Sequence, residues 1–143
     1  MHNYEIKKLE EYDQDYIGVR ELISINTNHK GSLTRLSVNQ NINLIIMVDF
    51  KVGNAPRANH YHKIKDEYFF LIEGAVYGYF KNDLKDDIKR IRIEKNTMVH
   101  IKPGCVHAFE AIENGYAIEF TSNTAEEIAN DTFAEHIIDQ YKS

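Results

Sequence analysis

Residues 57–74 read RANHYHKIKDEYFFLIEG, and this stretch decides the fold. His60 and His62 stand two residues apart, so on a β-strand both imidazoles leave the same face. A short polar break follows, and Glu67 then opens an apolar run that ends at Gly74. A carboxylate on an apolar strand face is costly to bury unless it is paired or bound to a cation. The stretch therefore predicts two strands that direct a histidine pair and a glutamate toward an interior.

A third histidine follows a turn further along the chain, in the segment PGCVH that ends at His107. Three imidazoles and one carboxylate can meet around one cation if the two segments are neighbouring strands of a barrel. Such a donor set suits divalent transition metals. We predict one divalent metal ion (Zn, Fe, Mn or Ni) held by His60, His62, Glu67 and His107. The alternative is a group of core polar side chains that satisfy one another.

Short apolar runs recur along most of the chain, at 44–50, 67–72, 75–80, 88–93, 98–101, 107–112 and 116–120. They are separated by turn signals, among them Glu73-Gly74, Pro103-Gly104 and Asn114-Gly115. The runs 44–50 and 67–72 are apolar on both faces, which is typical of strands buried on two sides. About nine or ten short strands at regular spacing indicate an all-β barrel or sandwich.

The two ends of the chain differ from this pattern. Residues 1–22 predict a short strand and turns, 19–25 the first clear extended segment, 26–32 a turn cluster and 33–38 a strand. In the tail, Thr124 and Glu127 match a capping box, which predicts a short helix. Apolar residues at helical spacing within 131–141 predict a second helix. We therefore expect one domain over 1–143, with a barrel core at about 19–121 and a helical tail at about 124–141.

Composition excludes several classes of protein. A chain of 143 residues fits a single domain. The net charge of −5 argues against nucleic acid or an anionic membrane as a partner. No apolar run approaches the ~18 residues that a membrane-spanning helix needs, and the first residues lack the apolar region of a secretory signal. With a single cysteine, Cys105, and no internal disulfide, the sequence indicates a cytoplasmic protein.

The spacing Gly53…His60-x-His62-xxxx-Glu67-xxxxxx-Gly74 resembles the first motif of the cupin superfamily. The segment Pro103-Gly104-xx-His107 resembles the second motif, although Ala111 stands where that motif usually ends in asparagine. The resemblance covers about residues 44–120. It implies a double-stranded β-helix (jelly-roll) barrel with short C-terminal helices, usually a homodimer, with metal on the three histidines and Glu67.

A narrower resemblance points to cupins that act on nucleotide-linked sugars in bacterial surface-polysaccharide synthesis. It rests on Arg57-x-Asn59-His60-Tyr61-His62-Lys63, on Phe109-Glu110 after His107, and on Asp131-Thr132-Phe133. Some of those cupins are 3,4-ketoisomerases or epimerases, which move a proton next to a sugar ketone. In metal-free members the histidine pair supplies the acid or base, whereas Glu67 favours the metal-bound form here.

Other residues are candidates for substrate contact and proton transfer. Arg57 and Lys102 could bind an anionic group such as a phosphate. Phe109 shares a strand face with His107 and is expected to line the pocket. His100 and Tyr79 are candidate proton-transfer residues, although a role in packing is the alternative for both.

Three functions follow from this pattern. The first is a metal-dependent isomerase or epimerase whose small-molecule substrate is a sugar nucleotide or sugar phosphate. The second is an iron-dependent dioxygenase that uses the open coordination positions for O₂. The third is a cupin that binds a small ligand without turnover.

Overall fold

The computed structural model describes residues 3–12, 24–28, 31–83 and 86–142 of the chain. These residues form eleven strands and one helix, with the bounds β1 Tyr4–Lys8, β2 Glu11–Tyr12, β3 Ser24–Asn28, β4 Gly31–Arg35, β5 Leu44–Phe50, β6 Arg57–Tyr61, β7 Glu67–Lys81, β8 Lys89–Glu94, β9 Thr97–Ile101, β10 Val106–Thr121, β11 Phe133–Ala134 and α1 Ile137–Lys142. No helix among the described residues has both the length and the apolar character needed to cross a membrane.

Two long strands, β7 and β10, form the centre of the fold. They pair antiparallel from Glu67 opposite Thr121 to Lys81 opposite Val106. One half of this pair continues into β9 and β5, and the other half continues into β8 and β6. The eight-stranded sheet thereby folds over on itself and encloses a core, which confirms the predicted all-β, double-stranded β-helix (jelly-roll) barrel.

The turns predicted at Glu73-Gly74 and Asn114-Gly115 are wrong, because neither strand ends there. Gly74 has a φ of +92° within β7, a conformation that favours glycine. A Cβ on Gly115 would lie 1.9 Å from the carbonyl oxygen of Glu73, so the two backbones touch where the long strands bend. The β7–β10 register shifts in the same region. Both glycines permit a bend and a close crossing in continuous strands.

The core lies between the two halves of the folded sheet. Its central cluster is built from Val48, Phe50, Phe69, Leu71, Val76, Phe80, Ile93, Val99, Ile101, Cys105, Phe109 and Ala117. The outer face of β7 is also covered. Phe70 packs in a cluster with Leu9 and Ile25, and Tyr79 packs in another cluster with Ile137 and Ile138. This explains why β7 is apolar on both faces.

Strand β5 differs from this expectation. The side chains of Val48 and Phe50 are buried, whereas Ile45 and Met47 are 64% and 78% exposed. Within one copy of the chain, β5 is therefore buried on one face only.

The N-terminal segment joins the sheet earlier than the predicted core boundary at residue 19. β1 pairs antiparallel with β9, so residues 4–8 belong to the main sheet. The turn cluster predicted for 26–32 is wrong in its extent, since β3 and β4 pair antiparallel across that segment. The strand predicted for 19–25 lies mostly outside the described residues.

The tail contains one helix where two were predicted. The capping-box contacts are present, because the Thr124 N–H donates to Glu127 Oε1 at 3.0 Å and the Glu127 N–H donates to Thr124 Oγ1 at 3.3 Å. Residues 125–130 nevertheless form turns. β11 then pairs with β6 before α1 begins at Ile137. Pairing of β11 with the sheet replaces the first part of the predicted second helix.

Candidate active site in the barrel cavity

The three predicted histidines meet inside the barrel. His60 lies on β6, His62 directly after β6, and His107 near the start of β10, where it stands opposite His60. One nitrogen from each imidazole lies within 4.8 Å of one from each of the others. His62 and His107 are buried and His60 is partly buried. The expected convergence of the two motifs on neighbouring strands is therefore confirmed.

A β-bulge precedes the histidine pair on β6. Ala58 and Asn59 have φ angles of 66° and 58°, and the β6–β10 register shifts beside them. An alanine in the left-handed region costs about 1–2 kcal/mol. The C-terminal segment holds this conformation, because the carbonyl oxygen of Asn59 accepts from the Glu135 N–H at 2.8 Å and its Oδ1 accepts from the Ile138 N–H at 3.3 Å. Backbone strain of this kind is found at functional sites.

Backbone carbonyls orient two of the imidazoles. His62 Nδ1 lies 2.6 Å from the carbonyl oxygen of Asp131, and His107 Nδ1 lies 3.0 Å from that of Cys105. Each Nδ1 must therefore carry the proton that it donates, so Nε2 is the nitrogen of each ring that faces the site. Among the described residues, His62 Nε2 is buried and has no hydrogen-bond partner.

Glu67 lies at the inner end of the site and is 1% exposed. Its Oε1 is 2.9 Å from His107 Nε2 and 4.0 Å from His62 Nε2, and its Oε2 is 2.8 Å from Lys65 Nζ. Burial alone would raise the pKa of Glu67, but His107 and Lys65 hold that pKa well below its ordinary value. Conversely, burial would lower the pKa of His107, but Glu67 raises it above the ordinary value. The carboxylate is therefore ionised, and its charge is balanced by the nearby His107 and Lys65, although neither oxygen has an aligned hydrogen bond.

His60 is the least protonated of the three. Burial, with the added effect of His107 and His62, lowers the pKa of His60 to about 3. Its imidazole is therefore neutral near pH 7.

Sequence reasoning missed two charged residues of the site, Lys65 and Glu119. The side chain of Lys65 is buried beside Glu67, and Glu119 lines the same cavity from β10. Burial, followed by the charge of Glu67, raises the pKa of Glu119 to about 7. The alternation that singled out Glu67 could have found Glu119, which shares a strand face with the buried Ala117. No local pattern marks Lys65, which lies in the polar break.

The histidines open into a cavity of about 250 Å³ lined by Ile46, Val48, Phe50, Arg57, Ala58, His60, His62, Lys65, Phe69, Phe109, Glu119 and Thr132. A second, outer cavity of about 290 Å³ adjoins this inner one, sharing Phe50, Arg57 and Phe109 with it, and has more exposed lining residues. Phe109 stacks on Phe69 with ring centroids 4.5 Å apart. Arg57 and Phe109 thus line both cavities, and their contact with a substrate stays a prediction.

Three other predicted residues lie elsewhere. His100 stacks on Tyr68, contacts Asp66 Oδ1 through Nε2 at 2.6 Å, and lines a separate surface pocket with Glu5 and Lys7. Tyr79 is buried under α1, and its hydroxyl donates to Glu110 at 3.2 Å. Lys102 pairs with Glu5 at 3.4 Å. The structure does not bring these three side chains to the histidine cavity.

The three imidazoles fit a divalent cation. The buried, unpartnered Nε2 of His62 and the orientation of His107 are what a metal ligand requires. Both oxygens of Glu67 are also buried without an aligned hydrogen bond, and Oε1 is the one that faces the histidines. A metal on Oε1 would have to replace the contact with His107 Nε2 and would lie beside the Lys65 ammonium on Oε2.

No family model matches the chain, and no curated protein matches it. Solved structures do. A 3,4-ketoisomerase from Helicobacter canadensis matches with a TM-score of 0.74 and 15% identity over 99% of this chain and 96% of that chain. A sugar 3,4-ketoisomerase from Thermoanaerobacterium thermosaccharolyticum, solved with TDP, matches with a TM-score of 0.73 and 16% identity over the same shares. A dTDP-4-dehydrorhamnose 3,5-epimerase from Sulfolobus tokodaii matches with a TM-score of 0.61 and 17% identity over 70% of this chain and 66% of that chain. The chain therefore has the cupin-like fold of these isomerases and epimerases.

Proposed function

We propose that this protein is a sugar-nucleotide isomerase or epimerase that moves a proton next to a sugar ketone. The observation that carries the proposal is the pair His60 and His62, whose ring centroids lie 4.6 Å apart, in a cavity that Arg57 also lines. The likeness to 3,4-ketoisomerases along 99% of the chain supports the reaction class. A mutant of the Thermoanaerobacterium thermosaccharolyticum 3,4-ketoisomerase was solved with TDP-4-keto-6-deoxyglucose, and this ligand is the type of substrate to test first.

The dimensions of the two cavities support this substrate class. The inner cavity of about 250 Å³ lies just below the usual range of ligand pockets, roughly 300–1,000 Å³, and suits a single ring. The outer cavity is lined by Arg57, Lys51 and Asn54, by Asp49, whose Oδ1 lies 3.8 Å from Lys51 Nζ, and by aromatic and small residues. A sugar would lie at the histidines, and the diphosphate would lie near the two cationic side chains.

The reaction needs a base and a group that stabilises negative charge. The imidazole of His60 takes the proton from the carbon next to the ketone, and the electron pair moves to the carbonyl oxygen to give an enediolate. Return of a proton to the former carbonyl carbon, with transfer of the hydroxyl proton on the first carbon to the former carbonyl oxygen, gives the isomerised ketone. Return of a proton to the opposite face of the first carbon gives the epimer. The unpaired Nε2 of His62 lies beside His60, where it can relay the proton between the two positions.

The divalent ion stays a prediction. When bound to His60, His62 and His107, it would act as a Lewis acid toward the substrate oxygen. In that form His60 is a ligand, and Glu119, whose pKa is raised to about 7, is the cavity residue suited to accept the proton. Elemental analysis of purified protein tests the metal directly.

The proposed function is tested by proton–deuterium exchange. The protein is incubated in D₂O with a panel of 4-keto-6-deoxy sugar nucleotides, once with a chelator and once with added Zn²⁺ or Fe²⁺, and exchange is followed by NMR. We expect exchange next to the ketone, and a loss of about 10²-fold or more in His60→Asn. The exposed His136 supplies a matched control, because His136→Gln should exchange at the wild-type rate.

Absence of exchange with every substrate in both conditions would refute the proposal. Oxygen consumption without exchange would favour the dioxygenase. A bound sugar nucleotide that stays unchanged after long incubation would favour a binding protein.

The predicted homodimer is part of this proposal. The exposed Ile45 and Met47 on β5 support it, since they leave apolar surface uncovered in one copy of the chain. Light scattering coupled to size-exclusion chromatography measures the oligomeric state.

A further inference from the structure

Lys65 is an unusual residue to find inside the cavity. It is 7% exposed, lies between β6 and β7, and lines the same cavity as His60 and His62. Lysine is almost never fully buried unless it is paired. Its ammonium has a specific position, with Nζ 2.8 Å from Glu67 Oε2.

The backbone holds Lys65 in this position from a distant part of the chain. The Lys65 N–H donates to Asp131 Oδ2 at 2.8 Å, and the Lys63 N–H donates to Asp131 Oδ1 at the same distance. The carbonyl oxygen of Asp131 also accepts from His62 Nδ1. A single residue of the tail therefore fixes both the histidine and the lysine relative to Glu67.

The ammonium and a metal ion would compete for the same carboxylate. Oε2 holds the ammonium at 2.8 Å, and a metal ion on Oε1, about 2.0–2.2 Å from that oxygen, would lie beside this buried positive charge and be repelled by it. Among the described residues, the donor atoms within 4.8 Å of one another belong to the three histidines, and Glu67 is not in that group. Among the described residues that line the inner cavity, Lys65 and Arg57 carry the cationic side chains, and Arg57 is exposed.

We propose that the Lys65 ammonium pairs with the Glu67 carboxylate where a divalent ion would otherwise bind. The same ammonium supplies the positive charge that stabilises the oxyanion developing on the ligand. The second half of this proposal rests on the proposed isomerase or epimerase function, and the first half does not. Two consequences follow. The wild-type cavity binds divalent metal through imidazoles only, and removal of the ammonium creates a site that includes the carboxylate.

The first half is tested by metal binding alone. Zn²⁺ and, separately, Mn²⁺ are titrated by calorimetry into the wild type, Lys65→Met and the matched control Lys63→Met. Lys63 is exposed, and its ammonium lies over the Phe133 ring. We expect Lys65→Met to bind Zn²⁺ about 10–100-fold more tightly than the other two proteins. Adding Glu67→Gln to Lys65→Met should abolish that gain.

The melting temperature gives a second readout of the same variants. Lys65→Met leaves Glu67 buried without its counter-ion, so Zn²⁺ should raise the melting temperature of this variant more than that of the wild type. If Lys65→Met does not fold without metal, its folding on addition of Zn²⁺ would equally show that the variant has gained a metal site. Equal Zn²⁺ affinity in the wild type and Lys65→Met, or a gain that survives Glu67→Gln, would overturn the proposal.

The second half is tested with a chelator present. We expect the exchange rate with a keto-sugar nucleotide to fall about 10²-fold or more in Lys65→Met, while the affinity for TDP alone changes less than threefold, about 0.65 kcal/mol. An unchanged exchange rate would overturn the role of Lys65 toward the ligand. If the wild type shows no exchange at all, the proposed function fails, and the metal titrations still decide whether Lys65 occupies the place of an ion.

Discussion

Asp131 offers the sharpest test of how the tail organises the site. Its carboxylate is 3% exposed and accepts from three consecutive backbone N–H groups: that of Lys63 at 2.8 Å, that of Ile64 at 3.0 Å and that of Lys65 at 2.8 Å. In Asp131→Asn the amide keeps one acceptor oxygen, and its NH₂ group faces at least one N–H donor. One charge-assisted hydrogen bond is lost, and the remaining hydrogen bonds are made to a neutral amide oxygen in place of a carboxylate.

A hydrogen bond to a charged group contributes about 1.5–3 kcal/mol, so we expect Asp131→Asn to lose about 2–4 kcal/mol in the free energy of unfolding. For a chain of 143 residues, 1 kcal/mol corresponds to about 3 °C in melting temperature. The expected drop is therefore about 6–12 °C. Urea denaturation and thermal melting monitored by circular dichroism measure both quantities. Asp139→Asn is the matched control, because the Asp139 side chain is 80% exposed.

The effect should depend on pH in a defined direction. Burial opposes ionisation of Asp131, but the N–H groups of Lys65, Lys63 and Ile64 lower its pKa below the ordinary value of 3.8. A lowered carboxyl pKa contributes stability that is present above the unfolded-state pKa and is lost as the pH falls through the folded-state pKa. The difference in the free energy of unfolding between the wild type and Asp131→Asn should therefore be constant from about pH 5 to pH 7 and become smaller below pH 3.8. No difference at neutral pH, or one that widens in acid, would refute the reasoning.

Three further predictions concern other parts of the structure. Gly115→Ala should lower the free energy of unfolding by about 3 kcal/mol or more, because its Cβ would lie 1.9 Å from the backbone of Glu73. The control Gly53→Ala has no atom near its Cβ and should lose only the cost of its φ of +89°, about 1–2 kcal/mol. Equal losses in urea denaturation would contradict the crossing of β7 and β10. Burial and the charge of Glu67 raise the pKa of Glu119 from 4.5 to about 7. Between these two pH values the folded protein keeps a proton that the unfolded chain has released, so the free energy of unfolding of the wild type should fall as the pH rises from 4.5 to about 7. Glu119→Gln should remove that slope in unfolding curves recorded with a chelator, and a slope that persists would show that another group titrates. Tyr79→Phe should lose about 1 kcal/mol of stability and keep the wild-type exchange rate, because its hydroxyl bonds Glu110 outside the cavity; a large loss of exchange would restore the sequence-based assignment of Tyr79 to proton transfer.

The sequence by itself determined the site's histidines and the class of fold. Alternation along a strand places His60 and His62 on one face whatever surrounds them, and the turn at Pro103-Gly104 returns the chain to place His107 beside them. These are local consequences of strand geometry. The regular spacing of short apolar runs likewise predicted a closed all-β architecture, because such runs can bury their faces only against one another.

Tertiary structure decided which face of each strand is the interior. On β7, Phe69 and Leu71 face the core before Gly74, and Val76 and Phe80 face it afterwards. The bend at Gly74 therefore shifts the alternation from odd to even positions. Counting by twos from Glu67 would place Tyr79 in the cavity, but the shift turns it outward under α1. The local sequence around a glycine that forms a turn is the same as that around a glycine that bends a continuous strand, so the sequence does not distinguish the two.

Long-range contacts decided the electrostatics of the site. Lys65 lies in a short loop with no apolar pattern, and Asp131, 66 residues away, brings it beside Glu67. Glu119 reaches the same cavity because β10 pairs with both β5 and β7. Local sequence fixes which way a side chain points along its own strand. The groups that surround it, and hence its charge state and its competition with a metal ion, depend on segments that only folding brings together.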